Sequence, residues 1–311
     1  MLAAVERLDG GALRDHPLVE AAVRWENGQT LLSLADYPRA RASLERAAAL
    51  ARLHEAPPNR LLARSLNSLG LVRKLLEQRE EAERSYREAL SIRRRNLSVG
   101  HPEIAGTLNN LGSLLQDTGQ SDEAEAAYRE SLAIRRAVAP PVPLEVVQSI
   151  NNLASLLLQR GKHEEGTDLL REALRIRREH LRPDHPQVAQ SLNNLAAALR
   201  ASGDLDEVES LLRESLEMRR RGLPEGHPDI AVTLHNLGSL LATRKRASDA
   251  EAMLREALEI RQRVLGPQAG PTTRTAAALA DVLRKSGRED EAAGIVRDSG
   301  LPAPSRHALN P

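Results

Sequence analysis

The chain has 311 residues, of which 41% are hydrophobic and 28% charged, and its 44 basic and 43 acidic residues leave a formal charge of +1. This composition indicates a folded chain with a large core, and by length alone about two domains. Because the chain has no cysteine, disulfides, thiolate catalysis and cysteine zinc sites are excluded. No apolar run approaches the ~20 residues of a membrane-spanning helix, so we expect a cytoplasmic protein without a membrane segment.

The start of the chain has the pattern of a helix that ends a hairpin. Leu2, Val5 and Leu8 have the spacing of one apolar helix face, and Gly10 follows as a stop signal. We expect residues 1–15 to be either an N-terminal cap or the remnant of a preceding hairpin in a longer protein.

From residue 16 to residue 299, apolar residues recur in register every 42 residues, and we call each set of equivalent positions a column. Two such columns, three residues apart, contain Leu66, Leu108, Ile150, Leu192, Leu234 and Ala276, and Leu69, Leu111, Leu153, Leu195, Leu237 and Leu279. A register kept over this length predicts seven copies of one structural unit. Residues 300–311 are predicted to form a flexible tail.

The first half of each unit is predicted to be an amphipathic helix. Ile104, Leu108, Leu111 and Leu115 have the i, i+4, i+7, i+11 spacing of one helical stripe. Gly112 lies within this stripe, where the lack of a side chain lets a neighbouring helix approach closely. A turn follows, and its glycines suit a left-handed helix end: Gly119, Gly161, Gly203 and Gly287.

The second half of each unit is predicted to be another helix, beginning at the N-cap candidate Ser121. Its two inward columns contain Ala40, Ala82, Ala124, Gly166, Val208, Ala250 and Ala292, and Leu44, Tyr86, Tyr128, Leu170, Leu212, Leu254 and Val296. Cations that favour a helix C-terminus close it: Arg93, Arg135, Arg177, Arg219 and Arg261. Proline follows histidine where the next unit begins, at His101-Pro102, His185-Pro186 and His227-Pro228. One such hairpin cannot bury its apolar stripe alone, so we expect the units to stack as a solenoid.

The unit "HPEIAGTLNNLGSLLQDTGQSDEAEAAYRESLAIRRAV" resembles a tetratricopeptide repeat of the longer, kinesin-light-chain type, and the resemblance covers residues 18–299. It implies an all-α solenoid of seven hairpins that forms a right-handed superhelix, with the first helices lining a concave groove. It also implies a protein that holds other proteins rather than transforming substrates, so we expect no enzymatic activity, no cofactor and no bound metal. The terminal units depart from the pattern, with Trp25 in the first and Ala277 and Ala278 in the last.

Polar residues lie off the apolar stripe of the first helices and are the candidate ligand-binding residues. One column contains Asn67, Asn109, Asn151, Asn193 and His235, and Ser113 and Gln116 lie nearby on the same side. Each asparagine costs up to ~0.7 kcal/mol of helix propensity relative to alanine, so a compensating contact is expected. A ladder of amides suits the backbone of an extended peptide. The alternative is that the asparagines tie neighbouring repeats together and bind nothing.

The predicted groove carries a positive charge. Its columns contain Arg64, Lys74, Arg200, Arg274, Arg284 and Lys285 against Asp117 and Asp281, six minus two, a net +4. This excess favours an acidic peptide or a C-terminal carboxylate as the ligand, and ordinary solvated charge is the alternative.

Other classes of function have less support in the sequence. The linker histidines recur a whole repeat apart, too far to share a zinc ion. The arginines that close the second helices could form a basic ridge for nucleic acid, but glutamates alternate with them and the chain has only one Trp, three Tyr and no Phe for stacking on bases. The resemblance also allows a sensor or docking region of a larger signalling protein built on a kinase or NTPase switch.

Overall fold

The computed structural model describes residues 13–57, 59–138, 143–200 and 203–300, without the side chain of Pro143. These residues contain 14 α-helices and no strand, which confirms the predicted all-α class. In chain order the helices are α1 (Pro17–Ser33), α2 (Tyr37–His54), α3 (Arg60–Leu75), α4 (Arg79–Asn96), α5 (Pro102–Asp117), α6 (Ser121–Ala137), α7 (Pro143–Gln159), α8 (His163–His180), α9 (Pro186–Leu199), α10 (Leu205–Gly222), α11 (Pro228–Thr243), α12 (Ala247–Leu265), α13 (Gly270–Lys285) and α14 (Glu289–Asp298). Odd-numbered helices are the first helices of the predicted units, and even-numbered helices are the second helices.

The chain divides into two compact units, residues 1–162 with α1 to α7 and residues 163–311 with α8 to α14. Within each unit, helices that are consecutive in sequence pack against each other. The single solenoid domain over residues 16–299 stays a prediction. The expected cap at the start of the chain and the expected tail fall largely on residues 1–12 and 301–311, outside the described residues.

The helix ends follow the predicted signals with one correction. His101, His185 and His227 precede their helices, and the Nδ1 atom of each accepts a hydrogen bond of 3.2 Å from the backbone N–H two residues later. The linker histidines are therefore N-caps. Ser121, predicted as the N-cap, is instead the first residue of α6, and Gln120 precedes it without a side-chain cap. The turn glycines have φ values of +75° to +85° at Gly119, Gly161, Gly203 and Gly287, which confirms their predicted left-handed conformation.

The apolar columns form the core. Every residue of the two inward columns of the second helices is buried, and Tyr86 and Tyr128 are among the largest fully buried side chains. The rings of these tyrosines lie against Gly70 and Gly112 of the preceding first helices. The predicted close approach at Gly112 is therefore present in the structure.

The arginines that close the second helices are buried, and this corrects the idea that they form an exposed ridge. Each is 5–7% exposed, at Arg93, Arg135, Arg177, Arg219 and Arg261. The Nη1 atom of each donates to a backbone carbonyl ten residues later and to a hydroxyl fourteen residues later. For Arg177 these acceptors are the carbonyl of Gln187 and Oγ of Ser191, both at 2.8 Å. The column thus ties each second helix to the first helix that follows it.

The exposed charges of the second helices pair with one another. Arginine and glutamate 36 residues apart form ion pairs of 2.6–2.7 Å at Arg52–Glu88, Arg94–Glu130, Arg178–Glu214 and Arg220–Glu256. Glutamate and arginine four residues apart on one helix also pair, at Glu83–Arg87, Glu125–Arg129, Glu209–Arg213 and Glu251–Arg255. Because these arginines already have carboxylate partners, the surface is a poor match for nucleic-acid phosphates.

Glu209 is a carboxylate on which three arginines converge. Its oxygens accept hydrogen bonds of 2.9 Å from Arg213, Arg244 and Arg246, and its side chain is only 11% exposed. Burial raises the pKa of Glu209, but the hydrogen bonds from Arg213 and Arg246 outweigh it and hold the pKa below its usual value. A pKa lower in the folded than in the unfolded chain stabilises the fold above about pH 4.3, and this contribution is lost as the pH falls further.

We therefore expect Glu209→Gln to lower the free energy of unfolding at pH 7 by about 1–2 kcal/mol and to weaken its fall between about pH 5 and pH 3. Urea titrations followed by circular dichroism at several pH values measure both effects. Glu217→Gln on the same helix is the control, because its ion pair with Arg221 is exposed and should contribute less than about 1 kcal/mol. An unchanged pH dependence in Glu209→Gln contradicts the assignment.

Candidate functional site

In each compact unit the first helices present mostly small or polar side chains that are partly or fully exposed, and we call these residues the first-helix face. In the first unit it consists of Gly106, Asn110, Ser113, Gln148, Asn152 and Ser155. In the second unit it consists of Gln190, Asn194, Ala197, Val232, Asn236 and Ser239. The 3.6-residue period of the helix brings these positions to one side.

The predicted asparagine column is tied to the asparagines beside it in the following repeat. Asn152 Nδ2 donates to Asn109 Oδ1 at 2.9 Å. Equivalent hydrogen bonds of 3.3 Å run from Asn110 to Asn67 and from Asn236 to Asn193. These contacts match the alternative in which asparagines link repeats, and they offset the helix propensity that asparagine costs.

Burial corrects part of the predicted groove lining. Asn109 and Asn193 are each only 5% exposed. Asn193 Nδ2 also lies within hydrogen-bond distance of the carbonyl of Ala189 and the hydroxyls of Ser215 and Thr233, so its amide is engaged inside the protein. Asn67 and Asn151 are half-buried, and their contact with a ligand stays a prediction.

Ser113, Gln116 and Lys74 belong to one polar network in the first unit. Lys74 Nζ lies 2.6 Å from Ser113 Oγ and 2.7 Å from the carboxylate of Asp117. Gln116 accepts a hydrogen bond of 3.1 Å from the Tyr128 hydroxyl and donates one of 2.7 Å to Gln159. All of these partners lie in α3, α5, α6 and α7, so the predicted site residues of this region are held in place by other helices.

The charge predicted for the groove is smaller once ion pairs are considered. Lys74 pairs with Asp117, Lys285 pairs with Asp281 at 2.7 Å, and Arg284 lies 4.0 Å from Glu289. Arg64 stacks with its guanidinium 3.7 Å from the centre of the Trp25 ring, a cation–π contact. Arg200 and Arg274 have no ion pair within the described parts of the chain.

His235 replaces the asparagine of its column and lies in a positive environment. Its Nδ1 atom is 3.3 Å from Thr275 Oγ1. Burial, followed by the charges of Arg261, Arg274 and Arg200, lowers the pKa of His235 to about 4. The imidazole is therefore neutral near pH 7, and the positive charge of this region belongs to the three arginines.

The apolar surface beside His235 was not predicted from the sequence. Val232, Val264 and Leu265 are 39%, 45% and 47% exposed, and all three line one pocket with His235. A signal was present in the column of Val232, because the two preceding repeats have glutamine there, at Gln148 and Gln190. An aliphatic side chain that follows two glutamines in one column indicates a change of surface chemistry.

Two classes of site receive no support from the described residues. In the ranges that the structure describes, no helix is long and apolar enough to span a membrane. Within the same ranges, no three histidine, aspartate or glutamate side chains are grouped so that they could hold a metal ion.

Solved structures with similar folds are helical repeat proteins. BtubC (BKLC) from P. vanneervenii is 26% identical with a TM-score of 0.62, over 76% of this chain and 97% of that one. A putative kinesin light chain with TPR-like repeats from Podosopora anserina is 23% identical with a TM-score of 0.58, over 67% of this chain and 98% of that one. A STAND protein with a tetratricopeptide repeat sensor from Pyrococcus horikoshii is 15% identical with a TM-score of 0.72, over 93% of this chain and 42% of that one.

The comparison with family models agrees with these folds, whereas the comparison with curated proteins finds no match. The family model described as tetratricopeptide repeat matches residues 19–95, 61–137, 145–221 and 229–299, which is most of the chain. This family is generally one of protein–protein interaction scaffolds, and the match indicates no enzymatic family. The resemblance to kinesin-light-chain repeats is confirmed, and the chain belongs to the tetratricopeptide repeat family.

Proposed function

We propose that the chain is a non-enzymatic scaffold that binds a segment of another protein along the first-helix face. The observation that carries the proposal is the chemistry of that face, where side-chain amides and hydroxyls recur from repeat to repeat. An amide offers both a donor and an acceptor, as does each peptide unit of an extended backbone. In each compact unit the face therefore offers a partner's backbone hydrogen-bonding groups in two successive repeats.

The contrast with the second helices supports this assignment. Their exposed arginines and glutamates are paired across neighbouring repeats, as at Arg94–Glu130 and Arg220–Glu256. A partner that bound there would have to break ion pairs. On the first-helix face, Gln148, Ser155 and Gln190 are exposed, so a partner that binds there leaves those pairs intact.

The proposal is tested with a photo-cross-linking amino acid placed at Ser155 or at Ser91. Both serines are exposed, but Ser155 lies on the first helix α7 and Ser91 on the second helix α4. Peptides are first selected from a random phage-displayed library on the full chain and then synthesised with a fluorescent label. We expect the labelled peptides to cross-link at position 155 and not at position 91.

Two results would overturn the proposed function. One is cross-linking at position 91 in preference to position 155, which would place binding on the second helices. The other is a library that yields no peptide with saturable binding. Melting curves of both substituted chains should match that of the unchanged chain, because each substitution is at an exposed position.

A second candidate is a sensor module of a larger signalling protein. The similarity to the tetratricopeptide repeat sensor protein from Pyrococcus horikoshii, with a TM-score of 0.72 over 93% of this chain, favours it. At 15% identity this similarity concerns the fold alone. In this candidate the peptide also binds to the first-helix face, and its binding regulates a switch domain of the larger protein. Peptide binding that changes the activity of a switch domain encoded in the same reading frame would support it.

A further inference from the structure

A pocket in the second compact unit combines exposed aliphatic side chains with arginines and has no acidic residue in its lining. It holds about 390 Å³ between α11, the end of α12 and the start of α13, and we call it the α12 pocket. Its lining includes Val232, His235, Arg261, Val264, Leu265 and Arg274. It opens beside Asn236 of the first-helix face, so a segment bound along that face would pass its mouth.

The α12 pocket combines positive charge with the absence of any acidic lining residue. Arg261 and Arg274 line it, and Arg200 is close enough for its charge to act on His235. None of these three arginines forms an ion pair with a described residue. In the preceding repeats, the residue ten positions after the buried arginine is an acid in three cases, as in Arg93–Glu103 at 3.1 Å. After Arg261 this position is Pro271, so the local carboxylate is missing.

A second pocket of similar size shows that this is not a general property of the fold. It has a volume of about 380 Å³, lies between α8, α9 and α10, and is lined by three arginines. There, Arg175 pairs with Glu179 at 2.8 Å and Arg171 pairs with Glu207 at 3.3 Å, and both glutamates line the same pocket. Arg178, the third arginine, pairs with Glu214 at 2.7 Å, so every arginine of that pocket has a carboxylate partner, whereas the arginines of the α12 pocket have none among the described residues.

The α12 pocket also has an aliphatic wall. Val264 and Leu265 at the end of α12 and Val232 on α11 each leave more than a third of their surface in water. Covering such surface stabilises a complex in proportion to the apolar area removed from water. The three side chains would therefore favour an aliphatic group of the ligand, while the arginines favour its carboxylates.

We propose that the α12 pocket binds an acidic segment of a partner protein in which an aliphatic side chain is flanked by two aspartates or glutamates. This inference rests on the proposed function and specifies the ligand class at one end of the face. The number of negative charges that the ligand supplies favours an internal acidic segment over a C-terminal carboxylate. A single C-terminal carboxylate supplies one negative charge for the two arginines that line the pocket, whereas two flanking acids supply two negative charges.

The test uses a fluorescein-labelled peptide, Gly-Ser-Glu-Leu-Glu-Ser-Gly amide, titrated with the full chain at low salt and followed by fluorescence anisotropy. We expect saturable binding with a Kd below about 1 mM. Replacing both glutamates of the probe by glutamine should weaken binding at least about tenfold, because the charge-assisted hydrogen bonds are lost. The absence of saturable binding, or equal binding of the glutamine probe, overturns the inference.

Substitutions in the chain locate the binding. Arg274→Gln should weaken binding of the acidic probe about tenfold. Arg175→Gln is the matched control, because it removes the same charge from an exposed arginine of the same compact unit, outside the α12 pocket. Arg274 is exposed on α13, so its substitution should leave the melting curve unchanged. If both substitutions weaken binding equally, the net charge of the chain explains the effect, and the assignment of binding to the α12 pocket is wrong.

A double-mutant cycle tests the aliphatic wall. Val264→Ser should weaken binding of the leucine probe several-fold and binding of a Glu-Ser-Glu probe much less, since only the leucine loses an apolar contact. A probe with a free C-terminal leucine and no glutamate is the third arm, and tighter binding of this probe would overturn the choice of an internal segment. If selected peptides cross-link at position 155 while Arg274→Gln changes no affinity, the α12 pocket assignment fails and the proposed function stands.

Discussion

Gly112→Ala is expected to lower the free energy of unfolding by about 1–2 kcal/mol. A Cβ atom built on Gly112 would lie 2.8 Å from Cε1 and 2.9 Å from Cδ1 of the Tyr128 ring. The ring is fully buried and cannot move away without disturbing the core. Overpacking of this kind costs about 1–3 kcal/mol, and the gain of up to about 1 kcal/mol in helix propensity offsets only part of it. Urea unfolding followed by circular dichroism measures the change.

Gly106→Ala on the same helix is the matched control. A Cβ at Gly106 would meet no atom within 4 Å, so this variant should gain up to about 1 kcal/mol from helix propensity alone. Opposite signs for the two variants identify the ring contact as the cause. A destabilisation of similar size in both would instead indicate that α5 tolerates no alanine, and the packing argument would fail.

A compensating change at Tyr128 should rescue Gly112→Ala. Repeats with alanine in the Gly112 column have an aliphatic residue in the Tyr128 column, leucine beside Ala154 and Ala196 and valine beside Ala280. The double variant Gly112→Ala, Tyr128→Leu should therefore lose at least about 1 kcal/mol less than the sum of the two single changes. Additive losses would show that the glycine and the ring are not coupled.

Arg177→Ala is expected to lower the free energy of unfolding by about 3 kcal/mol, although the residue is an arginine near the end of a helix. Its guanidinium is buried and donates at 2.8 Å both to the carbonyl of Gln187 and to Ser191 Oγ. Burial lowers the pKa of Arg177, but arginine keeps its charge, and hydrogen bonds from a charged donor are worth about 1.5–3 kcal/mol each. The truncation also leaves both acceptors without their donor inside the protein.

The adjacent Arg178 provides the control within the same helical turn. It forms an ion pair of 2.7 Å with Glu214, and both side chains are nearly half exposed. Such exposed pairs are worth about 0–1 kcal/mol, so Arg178→Ala should change stability much less than Arg177→Ala. Equal losses in thermal or urea unfolding would contradict the distinction between the buried and the exposed arginine columns.

The sequence predicts the helices and their core because both depend on periodic patterns. The spacing of Leu108, Leu111 and Leu115 indicates one helical face, and the structure buries all three. The turn at Gly119 was predictable for a similar reason, since a left-handed residue at a helix end strongly favours glycine. The prediction of Ser121 as the N-cap was wrong by one residue, since an N-cap differs from the first helical residue by backbone geometry rather than by composition.

The roles of the polar columns depend on partners that lie in the next repeat, and this is why the sequence predicted them less well. Asn109 and Asn110 are adjacent and chemically identical, yet one is buried and the other half-buried. Arg177 and Arg178 differ in the same way. The periodicity of one repeat cannot predict which of two such neighbours is buried, because the burial depends on the helix of the next repeat that packs against them. The α12 pocket was missed because its residues come from three helices.

Hydrogen exchange of the full chain, followed by mass spectrometry with and without a saturating selected peptide, tests the central claim most directly. A ligand on the first-helix face stabilises the helices it contacts against local opening, which slows exchange of their amides. We expect slower exchange in fragments from the first helices of the unit that the peptide contacts, α5 and α7 or α9 and α11, and little change in fragments from the second helices α4, α6 and α10. Slower exchange confined to the second helices would contradict the account.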